Sequence, residues 1–128
     1  MYERELKDRT KQFALRVIRL VAALPKTIEG KAIGRQLVSS GTSVGANYRS
    51  ACRGRSRAEF IAKLGIVEEE ADESAFWMEL IIENELLKNE LVEPLLKGAN
   101  ELVAIMVSSR KSARETTNNL KSQIANRK

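Results

Sequence analysis

The chain contains no histidine. That absence removes the commonest general base near neutral pH, every Ser-His or Cys-His nucleophile arrangement and the usual zinc ligand set. A di-metal centre of the kind some four-helix bundles hold requires Glu-x-x-His motifs. The acidic run Glu68, Glu69, Glu70, Asp72 and Glu73 therefore reads as ordinary solvated pairs, with Glu69 or Glu73 meeting an arginine of the second helix. Cysteine is reduced to Cys52, so no internal disulfide forms, the fold does not depend on an oxidising compartment, and a cytoplasmic setting is expected. The neighbours Arg49, Arg53 and Arg55 would lower its thiol pKa, but no base accompanies it, and a structural cysteine is the better reading. No phosphate-binding glycine loop is present either, because Gly30-Lys31 lacks a partner glycine at the required spacing. No run approaches the roughly 18 apolar residues of a membrane span, and the charged start from Met1 to Lys11 is no export signal. The expectation is a protein that is not an enzyme, uses no cofactor or metal and has no place in a membrane.

Only two prolines and 5% aromatics stand against abundant Leu, Ala, Glu, Lys and Arg, which favours helix over strand. The 128 residues suit one domain that hides about two-thirds of its unfolded surface. The 43% hydrophobic content is enough for one core. Net charge is +5, which permits attraction to polyanions.

Leu6, Phe13, Val17, Leu20 and Leu24 form the buried stripe of a first helix from about Arg4 to Leu24, stopped by Pro25. Residues 27–52 hold Ser39, Ser40, Gly41, Thr42, Ser43 and Gly45, which local chemistry would call a loop. Yet Ile33, Leu37, Val44 and Tyr48 recur at helical spacing, and Gly34, Gly41 and Gly45 share one smooth stripe. The spacing predicts one helix whose glycines pack closely on a neighbour. Ser56 with Glu59 reads as a capping box opening a third helix to about Leu87, with its seam at Phe60, Leu64, Val67, Ala71, Ser74, Met78 and Ile81. The stretch Phe76, Trp77, Met78, Leu80, Ile81 and Ile82 is apolar nearly all round, so Phe76, Trp77 and Leu80 are expected to form an oligomer interface. Val92, Leu95, Ala99, Leu102 and Met106 set a fourth helix from about Leu91 to Arg110 or beyond, with Pro94 in its first turn. The short connections predict an all-α, up-down-up-down bundle over residues 1–110. Residues 111–128 would form a basic helical extension, frayed, or a mobile tail.

One basic cluster survives as a candidate site: Arg49, Arg53, Arg55 and Arg57, with Lys63 a turn or two on. Arginines at a helix corner can grip phosphates without reading sequence. With Arg110, Lys111, Arg114, Lys121, Arg127 and Lys128 they make nonspecific binding of RNA or DNA the leading functional expectation. The alternative is a protein-interaction module or scaffold whose surface charge serves only solubility.

The segments Gly34-Arg35-Gln36-Leu37, Ser43 to Arg49, Ser56 to Leu64 and Glu70 to Trp77 resemble the four helix bundle protein family. That family includes proteins encoded by intervening sequences in bacterial 23S ribosomal RNA genes and is similar to the accessory variability determinant of diversity-generating retroelements. The resemblance covers about Leu6 to Met106. It implies a left-handed up-down bundle, a continuous second helix, a ring-shaped homopentamer and no known enzymatic activity. Retroelement relatives bind a reverse transcriptase and nucleic acid through a basic surface. Where many relatives carry a glutamate soon after the asparagine matching Asn47, this chain has Arg49 and Ser50. Asn47 and Arg35 are expected to bond across helices to acids such as Glu73, fixing register.

Overall fold

The computed structural model describes residues 2–126. Four helices follow in order: α1 Tyr2–Ala22, α2 Ile28–Cys52, α3 Arg57–Glu83 and α4 Asn89–Ala125, with no strand among the described residues. Each helix packs chiefly on its neighbours in sequence, and α1 touches α4 least. The connecting segments 23–27, 53–56 and 84–88 are too short to do anything but return the chain antiparallel, so the molecule is a four-helix bundle.

The apolar stripes become the core. Leu6, Phe13, Val17, Leu20 and Leu24 are buried beside Leu37, Val44 and Tyr48, facing Leu64, Val67, Ala71, Met78 and Ile81 of α3 and Val92, Leu95, Ala99, Leu102 and Met106 of α4. Each fully buried aliphatic side chain contributes about 1.5–3 kcal/mol of hydrophobic stabilisation, which sustains the helices against their glycines. Helix α2 runs unbroken through Ser39–Gly45 because α1 lies against it. A β-carbon on Gly45 would stand 3.2 Å from the Thr10 carbonyl oxygen. Hydroxyls that argued for a loop are absorbed internally, Thr42 Oγ1 donating to the Val38 carbonyl at 2.7 Å and Ser40 Oγ reaching that of Leu37 at 3.3 Å.

The helix ends obey local chemistry. Thr27 and Ser56 accept hydrogen bonds from the backbone N–H of Gly30 and Glu59, both at 3.1 Å, capping α2 and α3. Helix α3 closes in a Schellman motif, earlier than Leu87. Leu86 N–H donates to the Ile81 carbonyl and Glu85 N–H to that of Ile82, with Glu85 at φ 55°. Helix α4 starts two residues before Leu91, which moves Pro94 past the first turn and denies the Glu90 carbonyl its usual donor. Both residues are exposed, so water can serve that carbonyl.

Two expected polar contacts are corrected. Asn47 Nδ2 donates to the Ser43 carbonyl of its own helix at 2.8 Å rather than to an acid across the bundle. Glu73 receives Trp77 Nε1 at 3.5 Å one turn along, and the acid of the α3 run that meets an arginine is Glu68, paired with Arg110 of α4 rather than with an arginine of α2. Glu68 and Arg110 face each other because α3 and α4 share the largest helix interface, whereas the exposed Arg35 lies on α2 among no ion pair of the described residues.

Helix α4 has 37 residues against 27 in α3, so its last turns overrun the bundle by about 15 Å at 1.5 Å per residue. Ala113 is still buried, while Leu120 and Ile124 further along are exposed. The helix is continuous through Ala125, and Arg127 and Lys128 lie outside the described residues.

Candidate nucleic-acid interface

At one end of the bundle the start of α1, the end of α2 and the start of α3 converge. On α2, Arg49 and Arg53 are four residues apart and share a stripe, as do Arg4, Lys7 and Lys11 on α1. The antiparallel packing of α1 on α2 sets these stripes face to face along a shallow groove of about 310 Å³, in which Asp8 is the one acid. Among the described residues the ion pairs are Lys7–Glu3 at 3.4 Å, Arg9–Glu101 at 2.7 Å and Arg110–Glu68. Arg4, Lys11, Arg49 and Arg53 therefore keep their charges uncompensated by an ion pair. The cations of α1 were not marked out by the sequence, in which they look like any solvated helix face.

The remaining expected site residues divide. Arg57 turns from the groove toward the end of the bundle, and Arg55 stands exposed on the connection before α3. Lys63 Nζ donates to Ser50 Oγ at 2.6 Å, tying α3 to α2. Arg110 is half-buried, its guanidinium engaged by Glu68 and its Nε enclosed without a hydrogen-bond partner. Lys111, Arg114 and Lys121 are exposed along α4 and do not line the groove. The geometry thus joins Arg49 and Arg53 to three cations of α1 and leaves the tail as a separate basic feature.

Beside the groove, a cleft of about 430 Å³ opens where α1 and α4 diverge, lined by Tyr2, Tyr48, Arg57, Phe60 and Leu64, and by Ser108, Ser109, Ser112 and Thr116 of α4. It continues past Tyr2 and Phe60 toward Cys52 and Glu3. Burial pushes the Cys52 thiol above its ordinary range, and the neighbouring Glu3 acts the same way. This reverses the lowering expected from the nearby arginines, because Cys52 shares the Tyr48 stripe and faces Glu3 rather than the groove. Burial likewise raises the Tyr48 phenol, with Cys52 contributing. Glu3 is held below the usual carboxylate range by the Cys52 thiol beside it and by Lys7. No cluster of three or more His, Cys, Asp or Glu that could hold a metal ion occurs among the described residues. Nor is any described helix long and apolar enough to cross a membrane.

Charge is segregated along the molecule. Ten of the seventeen acidic residues lie between Glu68 and Glu93, with Lys88 the single base among them, so the α3–α4 corner is acidic and the opposite end is basic. On the acidic stretch Phe76 is 50% exposed, edge-on to Trp77 with ring centroids 5.0 Å apart, and Leu80 is half-buried one turn on.

The 23S rRNA-intervening sequence protein family matches the chain over residues 3–108. A crystal structure of a protein of unknown function from the S23 ribosomal protein family of Bacteroides thetaiotaomicron is similar to it, with 36% identity and a TM-score of 0.78, covering 83% of this chain and 98% of that one. No curated protein matches at a significant level. The family match ends before Arg110, so the overrunning part of α4 lies beyond it. With four antiparallel helices, a continuous glycine-bearing α2 and a match across most of its length, this chain belongs to the 23S rRNA-intervening sequence protein family.

Proposed function

We propose that this protein is a non-enzymatic, homo-oligomeric bundle that binds nucleic acid through the sugar-phosphate backbone, using the α1–α2 groove, in a cytoplasmic setting. The observation that carries this reading is the groove itself, where Arg4, Lys7, Lys11, Arg49 and Arg53 converge around one carboxylate. Cations held on two packed helices are positioned before any ligand arrives, and binding to phosphates releases condensed counterions. Cations spread along a shallow groove suit phosphate contacts, so affinity rather than sequence choice is its expected output. Lys111, Arg114 and Lys121 would add a diffuse attraction along α4.

The test is a fluorescence-anisotropy titration of a structured RNA and a duplex DNA across a salt series, comparing wild type with Arg4→Ala/Lys11→Ala/Arg49→Ala/Arg53→Ala. Wild-type affinity should fall steeply with salt, and the variant's slope of log affinity against log salt should shrink by about one for each phosphate no longer neutralised. A folded variant that binds as the wild type does would reject the groove.

A second reading, protein docking or self-association through α3, is favoured by Phe76, an exposed aromatic on a charged helix with Trp77 and Leu80 beside it. The family resemblance makes a pentamer the expected assembly. Sedimentation velocity of wild type and Phe76→Glu tests the self-association: an assembly that breaks down in the variant supports this face, and a wild-type monomer at micromolar concentration rejects self-association through it and the homo-oligomer with it.

A further inference from the structure

The cleft at the bundle end is a second surface, distinct in chemistry from the groove that adjoins it. Groove and cleft share the last turns of α2, where Arg49 and Arg53 face one and Tyr48 and Cys52, one residue earlier on the helix, face the other. On α1, Tyr2 lies two residues before Arg4, about 3 Å along the axis. A polymer lying on the arginines therefore passes within one helix turn of the cleft mouth.

The lining suits a flat, aromatic, partly polar guest. Tyr2 is 57% exposed and Phe60 half-buried, so both rings offer surface. Arg57 supplies a planar cation at the rim. On the α4 wall, Ser109 and Ser112 present hydroxyls that can donate or accept. The volume of about 430 Å³ lies within the roughly 300–1,000 Å³ of small-molecule sites. Glu3 at the edge is the one acid there, and its carboxylate is paired with Lys7.

Resting on the groove reading above, we infer that the cleft receives an unpaired nucleobase from a strand whose phosphates lie on Arg49 and Arg53. A basic track with adjacent aromatic rings is the arrangement by which proteins hold single strands, since every base has a face to stack and a duplex keeps its faces covered. The ligand class is accordingly single-stranded RNA or DNA, or a loop with a splayed base, in preference to a duplex. One base enters per protomer, with purines and pyrimidines both accommodated. The hydroxyls of Ser109 and Ser112 meet its edge.

The experiment compares anisotropy binding of three labelled oligonucleotides of equal length: an unstructured strand, the same strand with abasic sites throughout, and the duplex. Proteins are the wild type, Tyr2→Ala, Ser112→Trp and the groove variant. Tyr2 opens α1 and Ser112 is exposed, so neither substitution threatens the core, and circular dichroism melts check this. The wild type should bind the base-bearing strand about tenfold tighter than the abasic one. Tyr2→Ala and Ser112→Trp should bind both at the abasic level while retaining salt dependence, and 2-aminopurine in the strand should be quenched by the wild type alone. Salt-dependent wild-type binding that ignores the presence of bases would overturn the cleft and leave the groove standing. Failure of the wild type to bind either strand at low salt would overturn both.

Discussion

A β-carbon placed on Gly41 would stand 2.7 Å from Cγ1 of Val17, closer than real carbon atoms approach, so α2 meets α1 almost backbone to side chain at the middle of the bundle. Val17 is fully buried and branched at Cβ, which leaves it no rotamer in which to retreat. Gly41→Ala should therefore cost about 1–3 kcal/mol by overpacking, despite alanine's better helix propensity. Gly98 supplies the control, since a β-carbon there meets nothing within 4 Å. Gly98→Ala should gain up to about 1 kcal/mol, and urea titrations of the two variants should move in opposite directions.

Ser40 of α2 and Ser74 of α3 bond through their hydroxyls at 2.9 Å in the core, where both are buried. The Leu37 carbonyl lies 3.3 Å from Ser40 Oγ and the Glu70 carbonyl 2.8 Å from Ser74 Oγ, so two hydroxyl protons are shared among three acceptors and the pair joins the two helices. Ser40→Ala or Ser74→Ala alone should cost about 1 kcal/mol, and the double variant less than the sum of the two. A double-mutant cycle by chemical denaturation measures this coupling.

Glu85 adopts φ 55° at the end of α3, a conformation that favours glycine. Glu85→Gly should stabilise by about 0.5–1 kcal/mol, and removing one charge from the acidic corner acts in the same direction. A rise of a few degrees in Tm is the expected reading.

Burial, followed by repulsion from Glu73 and Glu69, holds the Glu70 carboxyl above the usual range. The folded chain thus binds this proton more tightly than the unfolded one. Stability is lost as pH rises from the ordinary carboxylate range through the raised value, and the loss persists at neutral pH. Glu70→Gln should raise Tm at pH 7 by an amount corresponding to less than about 1 kcal/mol, and the gain should vanish by about pH 3, where both states are protonated. Melts across that range test the sign.

The four core stripes were readable because Leu, Val, Ile and Met recur at three and four along each helix, and that spacing depends on nothing outside the helix. Helix α2 was readable despite its serines because Gly34, Gly41 and Gly45 fall on one side. The reach of α4 to Ala125 was not, since beyond Met106 the seam runs through Ala113, Leu120 and Ile124, too sparse to set a boundary. The pairing of Glu68 with Arg110 and the turning of Cys52 toward Glu3 depend on how two helices are rotated against each other, which no single helix encodes. The same holds for the groove. Arg49 and Arg53 stood out as a local cluster, but Arg4, Lys7 and Lys11 join them only through the packing of α1 on α2.

The acids from Glu68 to Glu93 run from the middle of α3 through the turn into α4, and the cationic groove lies at the other end of the bundle, so charge is unevenly distributed along the molecule. In the field of a polyanion such a body experiences a torque before it experiences contact. If the groove takes up nucleic acid as proposed, the protein would arrive groove first, and the bias weakens once the salt cloud, about 8 Å thick at physiological ionic strength, closes around each charge. A strand coated by copies oriented this way would present outward the α3–α4 turn, with Glu83, Glu85, Glu90 and Glu93.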